Sequence, residues 1–221
     1  MIERRYRSDY PGEFVVLNTD IRRGIKEQKR EWIENTLEYR PTTPCAAVIG
    51  GNHERDNFDY RRIARHHGGL HQRRKLRTYG TGLIWREMRL DVYCGTDRRE
   101  LDQLQQSGYQ ADTTVFSTAR YCMLFPGQFY LIPFQPPVND LAAAVYLAAF
   151  DGYKEIYLIG YSMSTPGNTR NWQNDVLEIM RVYNTHQFTL VGGPSDMPNA
   201  CRELDNVECL TYRNFRFTVD I

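Results

Sequence analysis

The sequence has little that marks a membrane, a secretory or a metal-cluster protein. No apolar run approaches the roughly 20 residues of a membrane-spanning helix, which excludes a transmembrane segment. The opening "MIERRYRSDY" is basic and lacks the apolar core of a signal peptide. Five cysteines, Cys45, Cys94, Cys122, Cys201 and Cys209, form an odd set with no Cys-x-x-Cys pair. They read as buried, reduced thiols, and a reducing, cytoplasmic compartment is expected. Internal repeats and low-complexity segments are lacking too.

Charge of one sign is also missing overall: 28 Lys and Arg meet 27 Asp and Glu, a formal net charge of +1. The balance hides an asymmetry. Between Arg55 and Arg89 stand ten Lys or Arg against three acids, joined by His66, His67 and His71, so the remainder of the chain is acidic. A basic stretch in a neutral protein suggests a face for phosphates, of a nucleotide or of a nucleic acid. The plain alternative is a solvated surface paired with acidic neighbours.

The chain does carry a clear alternation. At 221 residues it has room for one large domain, with residues 1–44 read as a basic N-terminal extension packed on it and 45–221 as the domain itself. The extension holds a predicted strand, "EFVVLN", and "RPTTP" separates it from the domain. Short apolar runs then alternate with helical segments: strand "CAAVIG", helix "DYRRIARHH", strand "LDVYCG", helix "DRRELDQLQQ". After "RYCMLF" come a helix from Asn139, strand "EIYLIG", helix "TRNWQNDVLEIMRVY", strand "FTLVGG", helix "DMPNACREL" and strand "VECLTY". Such alternation predicts an α/β fold, a single Rossmann-like domain with a mostly parallel sheet and helices on both faces. The Leu141–Phe150 segment is apolar nearly all round, as in a buried crossover, with Asn139 and Asp140 where an N-cap belongs. In the next helix Trp172, Val176, Ile179, Met180 and Tyr183 fall on one face, leaving the other wet.

Open parallel sheets bind ligands beyond the carboxyl ends of their strands, where strand order switches. The predicted strand ends are "IGGNHE", "YCGTD", "IGYSMS" and "VGGPSD", each with glycine beside polar residues. Glycine lets a ligand approach the backbone, and the polar neighbours bond phosphate or ribose. Gly50, Gly51, Asn52, Gly95, Asn139, Asp140, Gly160 and Ser162 are therefore candidate nucleotide-binding residues.

"DGYKEIYLIGYSMS" behind its apolar helix resembles the corresponding segment of bacterial lipooligosaccharide sialyltransferases and of relatives of pterin-pyrophosphokinase type. "AVIGGNHERDNFDYRRI" and "FTLVGGPSDMPNACREL" resemble the family's first strand and loop and its late strand, loop and helix. The resemblance runs from about Cys45 to Leu210 and implies a nucleotide-activated donor. It implies that Gly51 and Asn52 meet donor phosphate or ribose, that Asn139 and Asp140 touch the nucleotide, and that Gly160 and Ser162 lie beneath base or sugar. The family's catalytic histidine has no match after Gly160: His186 stands at the entrance to a strand, and Ser164 and Arg170 stand where tyrosines would fall.

For chemistry, His53 is the leading general-base candidate, at a strand end beside Asn52 and Glu54. Asp97 is the second candidate and reads equally as an N-cap. Arg170 suits the departing phosphates. No Asp-x-Asp occurs and the histidine group has no carboxylate at ligand spacing, so no metal and no cofactor are expected. Arg73, Arg74 and Arg77, with Tyr60, Tyr79 and Trp85 interleaved, suggest a polyanionic acceptor, DNA included. The reading is a glycosyltransferase-like enzyme moving a sugar from a nucleotide-activated donor to an acceptor hydroxyl. A pyrophosphokinase or other nucleotidyl-handling enzyme and a non-catalytic nucleotide- or nucleic-acid-binding module are the alternatives.

Overall fold

A computed structural model describes residues 2–10, 12–22, 25–34, 43–50, 63, 76–134, 139–161, 172–192 and 199–219. The described strands are β1 (Glu13–Arg22), β2 (Ile25–Glu34), β3 (Cys45–Ile49), β4 (Leu76–Gly80), β5 (Val92–Cys94), β6 (Thr114–Ser117), β7 (Tyr130–Leu131), β8 (Glu155–Ile159), β9 (Gln187–Val191) and β10 (Val207–Leu210). The described α-helices are α1 (Arg98–Ser107), α2 (Ala119–Leu124), α3 (Asp140–Phe150), α4 (Trp172–Val182), α5 (Asn199–Arg202) and α6 (Tyr212–Val219).

All ten strands form one sheet in the order β10-β9-β8-β3-β4-β5-β6-β7-β1-β2. From β10 to β7 every neighbouring pair is parallel. The α/β, Rossmann-like architecture expected from the alternation is the one observed. The chain lays β3 to β7 outward in one direction, then returns through α3 to place β8 on the other side of β3. The order therefore switches between β3 and β8, in the middle of the parallel array.

The described part of residues 1–44 contributes two strands to this sheet. β1 pairs antiparallel with β7 through Phe14 and Tyr130, and β2 pairs with β1 along its whole length, from Glu13 opposite Glu34 to Arg22 opposite Ile25. The basic segment after "EFVVLN" is thus an edge strand.

α3 is the central helix. Its residues Ala142 to Phe150 are all buried, as a segment without a polar face requires. Together with α4 it covers one face, against Ala46, Val48, Val92, Ile156 and Leu158. α4 turns Trp172, Val176, Ile179 and Met180 inward as its 3.6-residue period predicts, and Tyr183 just beyond it is also buried. The opposite face is covered by α1 through Leu101 and Leu104, α2 through Cys122 and α6 through Phe215, against Ala47, Ile49 and Val115. "RYCMLF" falls in α2, and α6, β4 and β6 are elements that the sequence pattern does not reveal. The helix expected at "DYRRIARHH" lies outside the described residues except Ile63, which is buried.

Residues 2–10 run as a strap over the α3–α4 side. Arg5 NH donates to Tyr183 Oη at 3.3 Å and its carbonyl accepts from that hydroxyl at 2.7 Å. Arg7 reaches the fully buried Asp151 just past α3, with Nη2 2.6 Å and Nε 2.8 Å from Oδ1. Tyr79 of β4 donates to Oδ2 of the same carboxylate at 2.5 Å. The guanidinium lies over Phe116 and Phe150, 5.2 and 5.1 Å from the ring centres. Strap, helix and sheet are thus joined through one buried charge pair, and Tyr79 belongs to the core rather than to a stacking platform.

Candidate functional site

The carboxyl ends of β8, β3, β4 and β5 stand side by side because the sheet places these strands next to one another. At the switch, Gly50 donates its NH to Ile159 O at 2.8 Å, extending the β3–β8 ladder by one residue. A Cβ at Gly50 would lie 2.9 Å from Gly160 O, 3.0 Å from Tyr161 Cε2 and 3.2 Å from Leu141 Cδ2. Gly160 itself adopts φ 72°, which favours glycine because a Cβ would crowd the backbone there. Tyr161 is buried, donates to Leu141 O at 2.8 Å and meets Trp172 edge-on at 5.7 Å. One tyrosine thereby ties the β8 end to the starts of α3 and α4.

Beside the switch, β4 ends at Gly80 and continues into Thr81, in extended conformation before a short 3-10 turn, Gly82–Arg86. Thr81 is 2% exposed and its hydroxyl has no hydrogen-bond partner among the described residues. A buried, unpaired hydroxyl is costly, so its presence at this rim is informative. Local sequence does not mark Thr81, because the strand that delivers it lacks a strand-like pattern.

The end of β5 holds a polar cluster. Gly95 NH donates to Phe116 O at 3.1 Å and its carbonyl accepts from Ser117 Oγ at 2.7 Å, which fixes the turn. Thr96 NH donates to Asp140 Oδ2 at 3.1 Å, and its hydroxyl donates to Oδ1 of the same side chain. Asp140 opens α3, where a carboxylate suits the positive end of the helix. Asn139 caps that helix by accepting from Ala142 NH at 3.1 Å. Burial nonetheless pushes the Asp140 carboxyl above its ordinary range, with the Thr96 bonds opposing and the nearby Asp97 charge adding to the rise.

Glu100 is raised too, first by burial and then by Asp140 and Asp97, against the bond from Tyr93. Tyr93 Oη lies 3.1 Å from Gly82 O and 3.2 Å from Glu100 Oε2, two acceptors for one phenolic proton. The rim thus offers carboxyl groups that burial pushes upward, whose oxygens suit the hydroxyls of a ribose or sugar more than bare phosphate.

Among the sequence-predicted residues, Gly50, Gly95, Asn139, Asp140 and Gly160 are placed along this rim. Asp97 caps α1, accepting from Glu100 NH at 3.0 Å, and is exposed. His53, Gly51, Asn52, Ser162, Arg170, Arg73 and Arg74 lie outside the described residues. Arg77 sits at the second position of β4, towards its amino end, paired with Asp91 at 3.6 Å and 18% exposed. The other described cations of the basic stretch are engaged as well: Arg86 donates to Gln103 and stacks on Trp85, and Arg89 meets Asp112 at 2.7 Å. Among the described residues no three His, Cys, Asp or Glu side chains are grouped to hold a metal ion. No described helix is long and apolar enough to cross a membrane.

Fold and rim together define a Rossmann-like α/β chain with polar groups gathered at the carboxyl ends of its strands around the topological switch. No protein-family model and no curated protein matches the sequence. Among solved structures, the sialyltransferase CstII from Campylobacter jejuni, determined with the substrate analogue cytidine-5'-monophosphate, is a distant structural neighbour. It shares 13% sequence identity, covers 67% of this chain and 79% of its own, and has a TM-score of 0.43.

Proposed function

We propose that the chain is a glycosyltransferase-like enzyme that binds a nucleotide-activated sugar at the β3–β8 switch and transfers the sugar to an acceptor hydroxyl. The observation that carries the reading is the buried, unpaired Thr81 hydroxyl flanked by Gly50, Gly160 and Asp140 on one rim. Such a rim admits a ligand's backbone-close approach at the glycines and supplies hydroxyl and carboxyl partners for ribose.

In the reaction the acceptor oxygen bonds to the anomeric carbon as that carbon's bond to the donor phosphate breaks. The acceptor proton passes to a general base, for which His53 and Asp97 are the candidates. Arg170 would steady the departing phosphate. The reaction needs no divalent ion on this reading, because the sequence lacks an Asp-x-Asp anchor. The acceptor carries negative charge on this reading, the class of molecule that the basic residues 55–89 suggest.

Thermal-shift screening of nucleotide sugars against nucleoside mono- and diphosphates tests the binding step, since a ligand at 100 times its Kd stabilises by about 2.7 kcal/mol. Product analysis then separates a transferred sugar from released AMP, which would mark nucleotidyl chemistry. Turnover should persist in EDTA, and His53→Ala should cut kcat with donor affinity intact.

A further inference from the structure

Away from the switch, a groove of about 250 Å³ is lined by Arg30, Arg98, Arg120, Tyr121, Met123 and Leu124. The three arginines come from different elements: the edge strand β2, the first residue of α1 and the first turn of α2. Two of these positions are helix starts that follow the carboxyl ends of β5 and β6, the side of the sheet on which the nucleotide is proposed to bind. Nothing local requires three cations to converge here. Arg98 has a loose pair with Asp102 at 3.6 Å, and Arg120 lies over the Tyr121 ring at 5.9 Å. Neither Arg30 nor Arg120 forms an ion pair with a carboxylate among the described residues. The residue across the hairpin from Arg30 is Leu17, which leaves that charge unanswered from the partner strand. All three side chains are exposed, and so is Leu124, at 43%.

Three like charges around one concavity repel one another until an anion enters, and guanidinium forks match the oxygens of phosphate. The size narrows the class of ligand. Sites for drug-sized molecules run to about 300–1,000 Å³, so this groove suits one sugar-sized unit. A single-stranded nucleic acid would need a run of exposed stacking faces. The groove offers one aromatic ring, Tyr121, already covered on one side by Arg120. Met123 and Leu124 add a short apolar wall for the carbon face of a sugar.

We infer that the Arg30–Arg98–Arg120 groove binds a compact phosphate-bearing ligand, the size of one phosphosugar. It is the acceptor subsite of the proposed transfer, a second step that rests on the proposed function, whereas the binding itself does not.

Calorimetric titration of the full chain at low salt with mannose 6-phosphate, mannose, inorganic phosphate and a short oligothymidylate tests it. Mannose 6-phosphate should bind more tightly than inorganic phosphate, and mannose should not bind. Arg30→Gln and Arg120→Gln should each weaken mannose 6-phosphate by about fivefold or more, as expected for loss of a charge-assisted bond. Leu124→Glu, an exposed substitution that brings in an opposing charge, should do the same if an arginine variant proves poorly folded. Nucleotide affinity should stay unchanged in all three. Equal binding of mannose and its phosphate, undiminished affinity in the folded variants, or binding of oligothymidylate without mannose 6-phosphate would each overturn the inference. Inorganic phosphate binding as tightly as the phosphosugar would overturn it as well. Phosphosugar binding without any nucleotide binding would keep the groove and remove the proposed function.

Discussion

Thr81 shows how a single residue can be better for the site than for the fold. Its hydroxyl is buried without a partner among the described residues, a cost of about 1–3 kcal/mol for a group of this kind. Thr81→Val keeps the shape and removes the unpaired group, so the thermal midpoint should rise while nucleotide affinity falls. Unchanged nucleotide affinity in that variant would remove Thr81 from the site. Gly50 makes the opposite case. Gly50→Ala forces a Cβ to within 2.9 Å of a backbone oxygen, at Gly160. It should lower stability by about 1–3 kcal/mol, the range for overpacking, read from the urea midpoint. His186 supplies a pH signature: burial, reinforced by Lys154 and Arg4, pushes its imidazole down from an ordinary 6.5 to about 4. The unfolded chain therefore takes up a proton near pH 6.5 that the folded chain refuses until about pH 4. Stability from this group is complete above pH 6.5 and is lost progressively as pH falls towards 4. His186→Phe, which preserves the stacked contact with Tyr6 at 5.8 Å, should flatten that part of the urea-midpoint profile.

Among elements, the strap of residues 2–10 matters more than its one short 3-10 turn, Arg7–Asp9, suggests. Arg7 forms a direct ion pair with the Asp151 carboxylate, and both side chains are nearly inaccessible. Arg7→Met leaves that carboxylate buried with Tyr79 as its remaining close partner, and should cost about 3–5 kcal/mol, the range for breaking a buried pair. A denaturation midpoint close to the parent's would show that the strap is dispensable. The elements legible in the sequence are those with a long period or a pure composition: α3 from its apolar run, α4 from its 3.6-residue face, β3, β8 and β9 from short apolar stretches. β4 is hidden because Arg77 and Thr78 interrupt its apolar character, and only the fold shows that Asp91 answers both. β6 has only Val115 and Phe116 between its polar ends, too short to show alternation. β2 reads as charged surface because an edge strand has one side in water and repels wrong partners with charge. The rim glycines are visible, but the Thr96–Asp140 contact joins residues 44 positions apart, which no local pattern reveals.

For the whole molecule, strand order assembles the site. Placing β8 beside β3 brings Gly50, Thr81, Gly95, Thr96, Asp140 and Gly160 to one rim from distant parts of the sequence. On the proposed reading this rim holds a nucleotide. The decisive experiment is backbone amide NMR of the full chain, titrated with nucleoside mono- and diphosphates and their sugar esters. Saturable shifts should concentrate at Gly50, Thr81, Gly95–Asp97, Asp140 and Gly160, and Asp140→Asn should weaken them. Saturable shifts confined to the amino ends of the strands, or no shifts with any nucleotide, would refute the nucleotide site.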